Sequence, residues 1–175
     1  PALVTGNTVV FKPSSDTPHC ATLLVELMHE AGFPAGVVNM VTGAGGEVGD
    51  AIVESPDVPV ISFTGSSTTG RHLAEKAGKL LKRLSLELGG KNGVVVLADA
   101  DLDLAAEGIL WSAFGTSGQR CTACSRVIVD RSVVEPLLQR LEAKAKLLRL
   151  GSGLDATTDV GPLINSGAVD KVAGY

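Results

Sequence analysis

A chain of 175 residues is one large domain or two small ones. Hydrophobic residues make up 45% and charged residues 19%, which excludes a disordered chain and implies a buried α/β interior or apolar surface that something else covers. A net charge of −4 with 3% aromatics leaves neither a basic stripe nor a stacking platform for nucleic acid.

The basic clusters Lys79/Lys82/Arg83 and Lys144/Lys146/Arg149 read as helix ends, where cations meet the negative end of the dipole. No apolar run is long enough to span a bilayer, so no membrane partner is expected. The opening PALVTGNTVV has no initiator Met, no basic region and no cleavage site. It starts almost directly on a strand, and the close DKVAGY stops in a helix-like stretch, so the chain reads as cut from something longer. Three cysteines, an odd number, point to a reducing, cytoplasmic setting.

In chain order, β-branched runs predict strands at 8–12, 37–41, 58–63, 83–88, 93–97 and 126–130. Apolar residues every three or four positions predict helices at 17–31, 46–54, 66–81, 102–116 and 133–148. The first helix has Thr17 as N-cap, Pro18 at its first position and Gly32 as its stop. Leu23, Leu24, Leu27, Met28 and Ala31 form its apolar face, and Val133, Leu137, Leu141 and Leu148 form that of the last. Strands alternating with helices imply βαβ units and a mostly parallel sheet. Residues 150–164 read as loop, and a boundary falls near Gly89-Gly90.

Five places can carry chemistry. Two are strand–turn–helix junctions. Gly43-Ala44-Gly45-Gly46-Glu47-Val48-Gly49 is near the dinucleotide fingerprint with its last interval off by one, or is simply a Gly-rich turn. Phe63-Thr64-Gly65-Ser66-Ser67 puts hydroxyls at a helix N-terminus, where they either favour an anion or only cap the helix. Lys12, followed by Pro13-Ser14-Ser15, stands at the C-terminal end of a strand, where open α/β sheets bind ligands. Glu87 faces away from Leu84, Leu86 and Leu88 before a double glycine, as suits a mobile general base or a plain surface glutamate.

The last is Gly118-Gln119-Arg120-Cys121-Thr122-Ala123-Cys124, between a helix and a strand. Cys121 beside Arg120 is a candidate nucleophile or a small buried residue. The CxxC spacing lacks the strand-to-helix order of a redox motif. His19, His29, His72 and Cys20 lack ligand spacing, so no metal is expected.

Taken together, Gly6-Asn7-Thr8-Val9-Val10-Phe11-Lys12-Pro13-Ser14, Gly32-Phe33-Pro34-Ala35-Gly36-Val37-Val38-Asn39, Phe63-Thr64-Gly65-Ser66, Leu86-Glu87-Leu88-Gly89-Gly90-Lys91 and Gly118-Gln119-Arg120-Cys121 resemble the NAD(P)-dependent aldehyde dehydrogenase superfamily in order and spacing over the whole chain. The resemblance implies an α/β, aldehyde dehydrogenase-like fold: residues 1–88 the second half of a Rossmann-like NAD(P)-binding domain, residues 89–175 the first half of a catalytic domain. It implies Cys121 as the nucleophile that forms a thiohemiacetal and then a thioester, with its N–H as one oxyanion donor. It implies Glu87 as the base that activates the deacylating water.

NAD or NADP would contact Lys12, Ser15, Gly45, Phe63, Gly65, Ser66, Leu88 and Gly89. Arg120 would hold an anionic group of an aldehyde substrate, and the full-length parent would be a homo-oligomer.

Departures are also plain. The family's second oxyanion donor, an Asn, would precede Pro1. The Glu of its E-x-F-G-P motif would follow Tyr175, and the oligomerisation segment is absent. Gly93 stands where Pro is usual, Thr69 where an apolar residue is usual, and Ser15 where NAD-preferring members carry Glu. Two other readings remain: a CoA-acylating relative, and an inactive fragment that binds a nucleotide or a partner.

Overall fold

The computed structural model describes residues 1–175, which divide into two compact units, Pro1–Glu87 and Leu88–Tyr175. In the first unit the order is β1 (Val9–Phe11), α1 (Pro18–Glu30), β2 (Val38–Met40), a wide turn (Gly45–Gly49), α2 (Asp50–Glu54), β3 (Val60–Gly65), α3 (Ser67–Lys79) and β4 (Arg83–Leu88), whose last residue opens the second unit. There follow β5 (Asn92–Val96), α4 (Leu102–Phe114), a 3₁₀ turn (Gly115–Gly118), β6 (Cys124–Val129), a second 3₁₀ turn (Arg131–Val133), α5 (Val134–Ala145) and α6 (Ser166–Ala173). No helix is long and apolar enough to cross a membrane.

The sheet differs from the one expected. Strands pair two by two, β1 with β2, β3 with β4 and β5 with β6, rather than in one continuous sheet. The ladders β1–β2 and β5–β6 are parallel, as helical crossovers require. Each strand therefore keeps one edge without a ladder partner.

Two small cores hold the units together. In the first, Val53, Ile61, Leu73 and Ala77 pack between α2, β3 and α3, with Phe63 and Leu84 against them. In the second, Val96, Ala106, Ile109 and Leu137 pack between β5, α4 and α5. The total accessible surface is 12057 Å², whereas two separate compact units of half this mass would together expose only about 9,700 Å². Much apolar surface is open accordingly.

The apolar stripe expected on α1 shows this best. Leu23, Leu24 and Leu27 are exposed, and the helix buries Ala21 and Val25 instead. Thr17 does not cap α1 through its side chain: its ψ of 44° is outside the extended geometry that aims a cap hydroxyl at the first turn. The helix expected at 46–54 begins as the wide turn Gly45–Gly49, because three glycines there favour no tight helix. In α5 only Leu137 of the predicted stripe is fully buried, and Leu148 lies beyond the helix end. The loop at 150–164 carries one parallel bridge, Leu150 to Val160, beside the Arg149–Asp159 ion pair at 3.0 Å.

Helices α2 and α3 are clasped by ions. Asp50 accepts from His72 Nε2 and from Lys76 Nζ, both at 2.9 Å, and Lys76 also reaches Glu54. The Lys76 ammonium, then the His72 ring, hold the Asp50 carboxyl below its ordinary 3.8. Glu54, then Asp50, hold Lys76 above its ordinary 10.5. A lowered carboxyl contributes stability above its ordinary value and loses it as pH falls through the lowered one. Asp50→Asn is expected to lower the melting temperature at pH 7. The gap to the unchanged chain closes as pH falls from 3.8 through the lowered value and Asp50 is protonated in both states, and scanning calorimetry over an acid pH series checks it.

Candidate functional site

In the first unit, Lys12 directly follows β1 and is half-buried. Its Nζ donates to the carbonyls of Pro13 at 2.7 Å and Gly43 at 3.1 Å, which brings the Lys12 strand end to the Gly43–Gly49 turn. Two of three ammonium donors are thereby used and one remains. Gly43 is required there, since φ is +147° and a Cβ would run into the Val48 side chain. Gly45 opens the wide turn, and Ser15 is exposed in the turn before α1.

At the end of β3 the Phe63 ring folds under Gly65, leaving no room for a Cβ at that glycine. Ser66 is the N-cap of the 13-residue α3, its Oγ accepting from the Thr69 N–H at 3.1 Å and meeting Thr69 Oγ1 at 2.9 Å. This is the capping reading of Ser66, and it also gives Thr69 a polar task that an apolar residue could not perform. In β4 burial alternates strictly, so Glu87 is exposed opposite half-buried Leu84, Leu86 and Leu88. Gly89 is exposed just past that strand.

In the second unit, α4 starts on Asp101, whose carboxylate accepts from the N–H groups of Asp103 and Leu104. It ends at Phe114 rather than Thr116 because the chain turns left-handed there. Thr116 and Ser117 have φ of 53° and 56°, and Gly118 has φ of 69°. A Cβ on Gly118 would lie 2.7 Å from the Ala113 carbonyl oxygen. Ser117 Oγ donates to the Gly161 carbonyl at 2.7 Å, and Gln119 Oε1 accepts from the Ile164 N–H at 3.1 Å. The turn is thus tied to the segment before α6.

Arg120 folds back onto α4. Its NH2 donates to the carbonyls of Trp111 at 2.9 Å and Ser112 at 3.4 Å, and its guanidinium lies 4.1 Å from the Trp111 ring centre. It sets a cation on carbonyls of the helix end, one of which, Trp111, also accepts from the Gly115 N–H. Its buried Nε has no hydrogen-bond partner. Cys121 follows, exposed, in a turn closed by the Ala123 N–H donating to the Arg120 carbonyl at 3.1 Å.

Asn92 at the start of β5, a residue that the sequence pattern did not single out, donates through Nδ2 to the carbonyls of Cys121 at 2.6 Å and Ala123 at 3.3 Å. The Cys124 thiol points to the Arg126 carbonyl at 3.3 Å, and its N–H donates to Ser112 Oγ. The three cysteines are free thiols.

The aldehyde dehydrogenase family model matches residues 1–175. The chain belongs to the aldehyde dehydrogenase family. It is similar to a 1-pyrroline-5-carboxylate dehydrogenase of Geobacillus sp. (strain WCH70), at 47% identity over 99% of this chain and 35% of that one. It is likewise similar to PnpE in complex with nicotinamide adenine dinucleotide, with TM-score 0.97, 46% identity and coverage of 100% of this chain and 36% of PnpE.

Betaine aldehyde dehydrogenase from Staphylococcus aureus, in complex with NAD+, gives a TM-score of 0.96 at 40% identity, covering 100% of this chain and 35% of that one. An E. coli NADP-dependent enzyme gives 0.97 at 45%, covering 99% and 36%. The chain spans about a third of the length of the curated relatives it matches. Its aldehyde dehydrogenase-like α/β fold is the one these structures share.

The left-handed turn yields a direct test. Gly118→Ala forces a Cβ against the Ala113 carbonyl at positive φ, at a cost of about 1–3 kcal/mol. A lowered melting temperature is expected together with faster alkylation of Ser112-bonded Cys124, as the α4 end frays. Thermal denaturation and peptide mass mapping measure the two.

Proposed function

We propose that the intact protein carrying this chain oxidises an aldehyde to a carboxylic acid with NAD+ or NADP+. The observation that carries the reading is an exposed Cys121 at the tip of a turn pinned on both sides, in a chain of this family. Cys121 Sγ attacks the aldehyde carbonyl carbon and gives a thiohemiacetal whose oxyanion lies within reach of the Cys121 N–H. A nicotinamide dinucleotide, when bound, would supply the hydride acceptor; loss of hydride from the thiohemiacetal carbon leaves a thioester on Cys121. Glu87 takes a proton from the water that cleaves this thioester, releasing the acid and the free thiolate. Its support is its exposed place on β4 before Gly89-Gly90 and the family motif around it.

For the dinucleotide, the fit lies in the Lys12 donor left over from its two carbonyl contacts, the Gly43–Gly49 turn, and the Gly65–Ser66 start of α3. Lys12 and Ser15 are assigned to the adenosine ribose and Ser66 to the pyrophosphate. Phe63, Gly65 and Gly45 shape the turns, and Leu88 and Gly89 border the nicotinamide. An aldehyde bearing an anionic group is favoured by the carboxylate in the name of the curated relatives. Arg120 supports that preference poorly, because its guanidinium is committed to α4.

In the intact protein, Cys121→Ala is expected to reduce aldehyde oxidation to background. Glu87→Gln retains acylation and slows deacylation by roughly 10²–10⁴-fold. Rapid mixing then shows one burst of reduced cofactor followed by a slow phase, and wild-type steady turnover in Glu87→Gln would refute its role.

Cofactor choice follows from position 15. A carboxylate there would repel a 2′-phosphate, and Ser15 does not, while Lys12 carries the attracting charge. NADP+ is expected to serve at least as well as NAD+. Ser15→Glu is expected to shift the ratio of kcat/KM values toward NAD+ by at least about tenfold, or 1.4 kcal/mol. Strict NAD+ dependence of the unmutated protein would refute the assignment.

A further inference from the structure

We infer that Asn92 is a positioning residue for Cys121, fixing both the direction of its side chain and the direction of its N–H; this rests on Cys121 being the nucleophile proposed above. Each peptide plane flanking Cys121 is held by one hydrogen bond. On the N-terminal side the Arg120 carbonyl accepts from the Ala123 N–H at 3.1 Å. The peptide is trans, so its C=O and N–H point in opposite directions. The Cys121 N–H is therefore turned to the outside of that turn. On the C-terminal side the Cys121 carbonyl accepts from Asn92 Nδ2 at 2.6 Å. Two planes held in this way restrict φ and ψ of Cys121, and Sγ is then placed by χ1 alone.

The two restraints differ in kind. The first closes a four-residue turn and is available to any such segment. The second crosses 29 residues of sequence and is anchored in the parallel β5–β6 ladder. Asn92 sits at the irregularity of that ladder: it pairs with Cys124 while Gly93 pairs with Arg126. Arg126 in turn donates from NH2 to the Lys91 carbonyl at 2.7 Å, tying down the residue before Asn92. A carboxamide suits the task because it donates to two carbonyls, Cys121 and Ala123, without carrying charge beside the thiol. Asn92 is exposed, so removing its donor leaves both cores intact while freeing the Cys121–Thr122 peptide to rotate.

The test uses the intact protein, with Asn92→Ala, Asn92→Leu and Asn92→Asp beside the unmutated form. Asp keeps the size of the side chain, loses the donor and adds a charge, so a moved alkylation profile counts only where uncharged Asn92→Ala or Asn92→Leu moves it too. Steady-state kinetics and iodoacetamide alkylation of Cys121 across pH are followed together, with Cys20 as internal control in the mass-mapped peptides. The expected result is a kcat lowered on the order of 10- to 100-fold, as for a misplaced reacting group. KM stays within about twofold, since an interaction made in the transition state is lost and ground-state binding is not. The Cys121 alkylation profile moves and that of Cys20 does not.

Unchanged kcat with an unchanged Cys121 profile in folded Asn92→Asp overturns the inference, even where Asn92→Ala does not fold. A loss of melting temperature alone, with kcat and profile intact, also overturns it and makes Asn92 merely structural. Failure of the underlying reading looks different: Cys121→Ala would then keep turnover, whereas the alkylation profile still reports whether Asn92 orients the thiol.

Discussion

Three consecutive residues in left-handed conformation, Thr116, Ser117 and Gly118, set what the second unit presents. The left-handed region costs an ordinary residue roughly 1–2 kcal/mol, and two of the three are not glycine. The turn persists because its surroundings hold it. Arg120 binds the last carbonyls of α4, Ser117 reaches the Gly161 carbonyl, and Gln119 takes the Ile164 N–H. Gly118 is the one position where no side chain fits, over the Ala113 carbonyl. The helix is thus stopped within one turn, and Cys121 follows a turn held by hydrogen bonds on several sides. Strain concentrated beside a reactive group and balanced by surrounding contacts is common where geometry matters more than stability.

The first unit uses the same economy with different chemistry. There the turns are shaped by glycines against a neighbour, Gly43 against Val48 and Gly65 against Phe63. Lys12 closes the gap between the end of β1 and the Gly43 carbonyl. The ion clasp of Asp50, His72 and Lys76 then holds α2 to α3, so the Ser66 cap starts a helix with little freedom to shift. The cores alone are small, a cluster of four buried side chains in each unit. Polar ties at turns therefore carry a larger share of the local order than in a densely packed domain.

What was legible in the sequence follows from range. Arg83–Leu88 was predicted residue for residue, because alternation of leucines with polar side chains is a local, period-two signal. Pro18 marked the start of α1 for an equally local reason, a missing N–H that the first turn does not need. The leucine face of α1 misled, since periodicity reports an apolar stripe but not whether anything packs on it. Sheet continuity was likewise invisible, because strand pairing is decided between segments distant in the chain. At the candidate site, the residue type and its Gly-rich setting pointed to Cys121. Asn92 gave no such sign: nothing in a Lys-Asn-Gly stretch tells which carbonyl, 29 residues on, it will reach.

Arg120 shows why adjacency in sequence is a weak guide to direction in space. Standing next to Cys121, it was expected to face the substrate and hold an anion. Its guanidinium instead turns through α4, with NH2 on two main-chain carbonyls and its face on Trp111. The Nε is buried and unpartnered, so it offers no second prong to a carboxylate from outside. A two-pronged grip needs two parallel donors on one free edge of the guanidinium, and here both edges that contain NH2 or Nε are engaged or covered. The residue is better understood as the clamp that fixes the end of α4 and so the path to Cys121.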